Sequence, residues 1–195
     1  MFLSDADIQR AIKRGEIVID PFDRKRLQPA SYDILLGDKF ILTESHATEA
    51  IDPVKKRFAR TKEVALGKNE TFVLHPGVSI LGTSVDYFGS HIYLIQLHGK
   101  SSLARMGLLV HNTAGLVNPG HFLRITFELC NLNRVPIILT PGMRIGQITF
   151  SQMTTVPVTD YRHDPRKYVD GRWNSHNPPK GAPKTRKVIK KKRKK

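Results

Sequence analysis

Short runs of aliphatic, aromatic and β-branched residues dominate this chain, and turn residues interrupt them about every ten positions from Gly15 to about residue 160. Little helical periodicity lies between these runs. Many short strands with little helix between them predict an all-β barrel or sandwich. The predicted strands cover residues 17–19, 40–42, 71–74, 78–81, 92–97, 123–129, 136–139 and 143–150.

One short helix is predicted before the first strand. Ser4 and Asp7 have the spacing of a capping box, and Ile8 and Ala11 follow at helical spacing. Gly15 is well placed to end this helix, because helices commonly stop at a glycine in the left-handed conformation.

The positive charge of the chain is concentrated at one end. The 195 residues carry a formal net charge of +15. Ten lysines and arginines and no acidic residue lie within 180–195, and removing these ten charges leaves +5 for residues 1–179. We therefore predict a folded domain over 1–173 and a disordered polybasic tail over 174–195. The tail is a candidate for non-specific contact with nucleic acid; the alternatives are a solvated charge run without function and a nuclear-import signal.

The sequence also predicts the cellular compartment. No apolar run approaches the roughly 20 residues that cross a bilayer, so we expect no membrane partner. The first residues lack the basic-then-apolar layout of a signal peptide. A single cysteine, Cys130, excludes an internal disulfide and fits the reducing cytoplasm. We expect a cytoplasmic protein.

Glu128 is the first candidate for chemistry. Side chains alternate between the two faces of a strand, so Arg124, Thr126, Glu128 and Cys130 would share one face and the apolar residues between them the other. Glu128 is then a carboxylate in the middle of a strand. It is either a solvent-facing glutamate on an amphipathic strand or a pocket residue that acts as a general base.

A second candidate cluster lies at residues 99–105. It combines a glycine, the hydroxyls of Ser101 and Ser102, and the cations Lys100 and Arg105. Such a cluster suits phosphate, because small residues let backbone N–H groups approach and cations balance the charge. The cluster does not have the Walker A pattern. A capped surface turn is the alternative.

Zinc chemistry is not expected. The zinc nucleobase deaminases need His-x-Glu and Pro-Cys-x-x-Cys, and this sequence contains neither motif. Its eight histidines form no recognisable metal pair. Hydrolytic chemistry would therefore proceed without protein-bound zinc or any other protein-held metal.

Taken together, these segments resemble the dCTP deaminase family, a branch of the dUTPase-like fold. Their order and spacing match over most of residues 1–168. The matching segments are 3–8, 27–37, 74–77, 99–105, 113–120, 125–131 and 141–150. The resemblance implies a distorted β-barrel with a short N-terminal helix, a homotrimer, and nucleotide pockets at the subunit interfaces. It also implies a dCTP substrate with Mg²⁺ held mainly by the substrate phosphates.

The resemblance assigns roles to individual residues. Glu128 would activate the water that attacks C4 of cytosine and pass protons to the leaving ammonia. Ser101 and Arg105 would position this water and stabilise the developing charge. The full set of implied substrate contacts is Lys100, Ser101, Ser102, Arg105, Asn118, Thr126, Phe127, Glu128, Gln147, Tyr161 and Lys167.

Two departures from the family pattern, at residue 118 and at residues 167–171, and one residue that matches the bifunctional enzymes bear on the function. Asn118 stands in an Asn-Pro-Gly turn where the family has aspartate, and asparagine is a poor base. Gly115 is the residue seen in bifunctional enzymes, which argues the opposite way. The segment 167–171 lacks the usual glutamine. In the family, cleavage of the triphosphate needs a carboxylate at position 118 to activate the water that attacks phosphorus. The sequence therefore favours hydrolytic deamination of dCTP to dUTP and ammonia, which supplies dUTP and dUMP for thymidylate synthesis. The alternatives are a bifunctional enzyme that gives dUMP and pyrophosphate, and a catalytically weak nucleotide-binding regulator.

Overall fold

The computed structural model describes residues 1–47 and 50–158, and this part of the chain is mainly β. Tyr161, Lys167 and the predicted tail at 174–195 lie outside the described residues. The helices, strands and two 3-10 turns are, in chain order, α1 (Asp5–Lys13), β1 (Ile17–Asp20), a 3-10 turn (Arg24–Arg26), β2 (Leu27–Gln28), β3 (Ser31–Thr43), a 3-10 turn (Ser45–Ala47), β4 (Thr61–Ala65), β5 (Phe72–Leu74), β6 (Ser79–Ser90), β7 (Tyr93–Gly99), α2 (Ser101–Arg105), β8 (Leu108–Leu109), β9 (Leu116–Val117), β10 (Leu123–Asn131), β11 (Ile137–Leu139) and β12 (Arg144–Gln152).

Ten of these strands form one curled sheet, which has the shape of a half-barrel. Its path is β8-β10-β6-β3-β12-β7-β9; β1 pairs with β6, and β2 and β4 pair with β3. The strands β5 and β11 form a separate pair. Every strand pair among the described residues is antiparallel. The mainly β class predicted from the sequence is confirmed.

The N-terminal helix forms as its sequence predicts. The Ser4 side chain accepts a hydrogen bond from the Asp7 N–H, and the Asp7 carboxylate accepts one from the Ser4 N–H, which completes the capping box. Ile8 and Ala11 are fully buried against the sheet. Gly15 has a φ of 70°, the left-handed conformation that ends the helix.

The predicted alternation along β10 is also confirmed. The four apolar side chains between residues 123 and 129 are buried in the core. The four side chains on the opposite face, Glu128 among them, are half-buried. Glu128 therefore lies on a strand whose other face is anchored in the core.

Strands β3 and β6 are much longer than the sequence analysis predicted. Each contains an aspartate that interrupts the apolar pattern, Asp33 in β3 and Asp86 in β6, and both side chains are buried. Asp86 accepts a hydrogen bond from Arg26 at 2.6 Å and another from the Leu35 N–H. A buried carboxylate is tolerated when such partners compensate its charge, and partners distant in sequence are not visible in a strand pattern.

Within the described residues, no helix is both long enough and apolar enough to cross a membrane.

Candidate active site

Glu128 projects from the middle of β10 beside the loop that follows β8. Its Oε2 accepts a hydrogen bond from the Asn112 N–H at 2.6 Å. Its own N–H donates to the Val110 carbonyl at 3.2 Å, which holds this loop against the strand. In the part of the chain that the structure describes, Oε1 has no hydrogen-bond partner. The second carboxylate oxygen is thus available to take a proton.

The cluster at residues 99–105 forms the end of β7 and the short helix α2. Ser101, Ser102 and Arg105 are exposed. Their side chains make no hydrogen bond or ion pair to any described residue. Lys100, at the position before the helix, makes no side-chain cap. The hydroxyls and the guanidinium of this cluster thus point to solvent, and their contact with phosphate stays a prediction.

Lys100 is tied to a buried carboxylate that the sequence analysis did not select. Its Nζ lies 2.5 Å from Oδ1 of Asp33, whose side chain is only 1% exposed. The other oxygen, Oδ2, lies 3.2 Å from Nη1 of Arg144. An aspartate inside an otherwise apolar strand was the available signal, since such a residue needs a cationic partner.

Gln147 belongs to this cluster rather than to the Glu128 face. Its Oε1 accepts a hydrogen bond from the Ser31 hydroxyl at 2.9 Å, and its Nε2 donates to the Gly99 carbonyl at 3.5 Å. The predicted contact of Gln147 with the base or sugar stays a prediction. In this chain alone, Gln147 links β3 to the start of the 99–105 cluster.

Two residues of the predicted set directly precede Glu128 on β10, and their side chains face opposite ways. Thr126 is half-buried on the Glu128 face. Phe127 is fully buried within the core. A ligand on the Glu128 face can therefore meet Phe127 only through its backbone.

Asn118 begins the predicted turn. The His121 N–H donates to the Asn118 carbonyl at 3.0 Å across Pro119 and Gly120. Gly120 has a φ of 88°, which is the position of a type II turn that requires positive φ. The turn predicted from Asn-Pro-Gly is confirmed, and the Asn118 side chain is half-buried.

Between Asn112 and Asn118 the loop is clamped onto β7 at Gly115. The Leu97 N–H donates to the Gly115 carbonyl at 2.7 Å. A β-carbon at Gly115 would lie 2.8 Å from the Leu97 carbonyl oxygen and 3.3 Å from the His111 ring. A glycine is therefore required for this close approach.

Beside this contact, His98 on β7 shares a hydrogen bond with the Thr149 hydroxyl at 3.0 Å. Burial, and secondarily the neighbouring His111, lowers the pKa of His98 from its ordinary value.

The structure thus contains two clusters. Lys100, Asp33, Gln147 and Arg144 meet at one, and Glu128 meets Asn112 at the other. Among the described residues, no hydrogen bond or ion pair joins Glu128 to Ser101 or Arg105.

A half-barrel of antiparallel strands, with a carboxylate on one strand and a separate cluster of cations and hydroxyls at the start of α2, is typical of one class, the enzymes of the dUTPase-like fold. The crystal structure of 2'-deoxycytidine 5'-triphosphate deaminase from Agrobacterium tumefaciens shares this fold. The TM-score is 0.59 at 21% identity, and the match covers 76% of this chain and 47% of that chain.

Residues 2–153 match the family model described as dCTP deaminase-like. Two relatives described as "dCTP deaminase, dUMP-forming" are similar over most of their length. The protein from Tropheryma whipplei strain Twist is 47% identical over 156 residues, 80% of each chain. The protein from Corynebacterium jeikeium is 43% identical over 162 residues, 83% of this chain and 86% of the relative. This chain belongs to the dCTP deaminase-like family and is an enzyme of that type, as its sequence motifs predict.

Proposed function

We propose that this enzyme converts dCTP, with two molecules of water, into dUMP, ammonia and pyrophosphate. The observation that carries the proposal is the 47% and 43% identity to relatives described as dUMP-forming. These relatives support the bifunctional alternative rather than the release of dUTP that the sequence analysis favoured.

Deamination would take place at Glu128. One carboxylate oxygen is held by the Asn112 N–H, and the other would take a proton from the attacking water. The oxygen of this water bonds to C4 of cytosine, and its two protons end on ring N3 and on the amino group. The bond between C4 and the amino nitrogen breaks, which releases ammonia and leaves the C4 carbonyl of uracil. Ser101 and Arg105 would orient the water and stabilise the charge that develops on it.

The substrate phosphates would bind near Lys100, Ser101 and Ser102. The positive groups here suit phosphate oxygens rather than a metal ion. Among the described residues, no group of three or more histidine, cysteine or acidic side chains is placed to hold a metal. A Mg²⁺ ion would therefore be held mainly by the triphosphate, whose charge it would neutralise.

We also propose a homotrimer with the site shared between subunits. Ser101, Ser102 and Arg105 are exposed, and their side chains make no hydrogen bond or ion pair to the described residues of their own chain. Glu128 lies on a separate cluster. Joining α2 of one subunit to β10 of the next would bring the groups together. A cytoplasmic location fits the single Cys130, which stays reduced there.

Asn118 favours a second candidate function, a deaminase that releases dUTP. An asparagine side chain can hydrogen-bond a sugar hydroxyl, but it cannot take a proton from the water that attacks phosphorus. Asn118→Asp, assayed beside the wild type, tests whether a carboxylate at this turn increases cleavage of the triphosphate.

Product analysis separates the candidates. The full chain is incubated with dCTP and Mg²⁺, and nucleotides, ammonia and pyrophosphate are measured over time. Equal amounts of dUMP, ammonia and pyrophosphate are expected, with little free dUTP. Accumulation of dUTP supports the second candidate, and unchanged dCTP supports the weak regulator. Removal of Mg²⁺ should slow the reaction, whereas a zinc-selective chelator should not.

A further inference from the structure

Asp33 is a buried carboxylate whose charge is compensated from the side of the phosphate cluster. Its Oδ1 accepts a hydrogen bond from Lys100 at 2.5 Å, and its Oδ2 accepts one from Arg144 at 3.2 Å and one from Gln28 at 3.4 Å. The two cationic side chains are 25% and 46% exposed, whereas Asp33 is 1% exposed. The Asp33 carboxylate is therefore held in the interior, and the side chains of Lys100 and Arg144 extend from it toward solvent.

The sheet places Asp33 close to the start of α2. Gln147 on β12 lies opposite Asp33 on β3 and opposite His98 on β7. Lys100 follows His98 by two residues. The turn from β7 into α2 is consequently tied to the neighbouring strands twice, at Gly99 through Gln147 and at Lys100 through Asp33.

The other buried aspartate of the sheet forms an ion pair that is enclosed on both sides. Arg26 and Asp86 lie 2.6 Å apart, with side chains 4% and 0% exposed. Both members of that pair are enclosed by the core. Buried ion pairs add little net stability compared with an apolar replacement, and holding a specific geometry is one reason to keep them. The Asp33 pair is open on its cationic side, where a ligand can reach it.

We propose that Asp33 is a positioning residue that sets Lys100 in place for the substrate phosphates. The inference rests on the proposed function, because it takes Lys100 as a phosphate contact. A lysine side chain loses conformational entropy when a ligand orders it. A carboxylate 2.5 Å from Nζ imposes that order before the ligand arrives, so less affinity is lost on binding.

Two effects of Asp33 on an anionic ligand have opposite signs, which makes the test sharp. Its negative charge repels phosphate, so removing the charge would strengthen binding if simple electrostatics dominated. Its hold on Lys100 favours binding, so removing the carboxylate would weaken binding if positioning dominates. We expect positioning to dominate, because the two cations already offset the charge of Asp33.

The first experiment measures binding of inorganic tripolyphosphate with Mg²⁺ to the full chain by calorimetry. Asp33→Asn should bind tripolyphosphate about tenfold more weakly than the wild type, because it lacks one charge-assisted hydrogen bond to Lys100. With dCTP, KM should rise by a similar factor while kcat stays within about twofold. Asp38→Asn, which removes the same charge from an exposed position on the same strand, is the control and should bind normally. Equal or tighter binding by Asp33→Asn overturns the proposal.

A double-mutant cycle separates positioning from general stability. If Asp33 acts through Lys100, then Asp33→Asn should have no further effect on tripolyphosphate binding in a Lys100→Gln background. Additive losses would show that Asp33 acts by another route, and the proposal would fail. Circular dichroism and thermal melting confirm that each variant is folded.

Amine-reactive labelling of the wild type tests the same contact without a substitution at Asp33. Lys100 should label at least about tenfold more slowly than Lys55, beyond the difference in their exposures of 25% and 73%, because its amine is bound by a buried carboxylate. Equal rates would overturn the proposal.

The proposed function can fail separately. Binding of tripolyphosphate that depends on Lys100 and Asp33, without turnover of dCTP, would refute the function and leave this inference intact. Normal turnover of dCTP, together with tripolyphosphate binding that is unaffected by Lys100→Gln, would leave the proposed function intact and refute this inference.

Discussion

Glu128 combines two properties that a general base requires. Its backbone is fixed in β10 by a core-facing neighbour on either side, Phe127 and Leu129, both fully buried. One of its carboxylate oxygens is oriented by the Asn112 N–H. The position of the other oxygen is therefore determined before a substrate binds, which is the condition for efficient proton transfer.

Replacing Glu128 with glutamine tests this role at the scale of one residue. The amide oxygen can still accept the hydrogen bond from Asn112, so folding and nucleotide binding should persist. The deamination rate should fall by about 10²–10⁴-fold, because the amide cannot take the proton from water. Glu63→Gln, at an exposed position on β4, is the matched control and should keep full activity. Near-normal ammonia release by Glu128→Gln would refute the assignment.

At the scale of elements, three adjacent strands each contribute one polar residue to a row that runs across the sheet. Asp33, Gln147 and His98 lie in register on β3, β12 and β7. Together they connect the central sheet to the turn that leads into α2. A titratable group in this row links the stability of the sheet to pH.

His98 gives the sign of that linkage. Because burial lowers its pKa in the folded state below the ordinary value of 6.5, the unfolded chain binds the proton more readily. The stabilisation is fully present above pH 6.5 and is lost as pH falls through the folded-state pKa. His98→Gln can still hydrogen-bond Thr149 but carries no proton, so its stability relative to the wild type should improve in acid.

Urea denaturation at about pH 7.5 and about pH 5, at one protein concentration, measures this effect. His75→Gln, at an exposed position, serves as the control and should follow the wild type. Parallel stability profiles for the wild type and His98→Gln would show that His98 does not carry the linkage.

At the scale of the whole molecule, a shared site makes a clear prediction about mixed subunits. The Glu128→Gln and Arg105→Met variants should each be nearly inactive on their own. If the two residues come from different subunits, mixing the variants under conditions of subunit exchange should restore part of the activity. Light scattering should give the mass of a trimer. No recovery after verified exchange would indicate that both residues act within one chain.

The polybasic tail supports a second prediction at this scale. Truncation after residue 179 removes ten positive charges and should leave deamination intact. Cation binding to nucleic acid releases condensed counterions, so binding by the full chain should be sequence-independent and fall steeply with salt. At roughly −0.9 per phosphate neutralised, one tail contributes a log–log slope no steeper than about −9.

Random duplex DNA and RNA, titrated at several salt concentrations, compare the two forms. Equal binding by the full and truncated chains would refute nucleic-acid contact through the tail. Loss of deamination on truncation would instead assign the tail to the active site.

The local sequence was sufficient for features whose cause is local. The capping box of Ser4 and Asp7, the turn at Asn118 and the alternation around Glu128 each depend on residues within a few positions, and the structure confirms them. Family motifs added the identity of the fold, which the comparisons confirm.

The lengths of β3 and β6 and the partners of the site residues depended on the tertiary structure. Asp33 looks like a break in an apolar strand until Lys100, 67 positions away in sequence, compensates its charge. Gln147 is held by Ser31, 116 positions away. The sequence by itself determined the β class, the first helix and the family, because periodicity, capping and motifs depend on residues that are close together in the sequence. Only the tertiary structure decided which buried charges are paired and which site residues meet, because strand register brings together side chains that no local pattern connects.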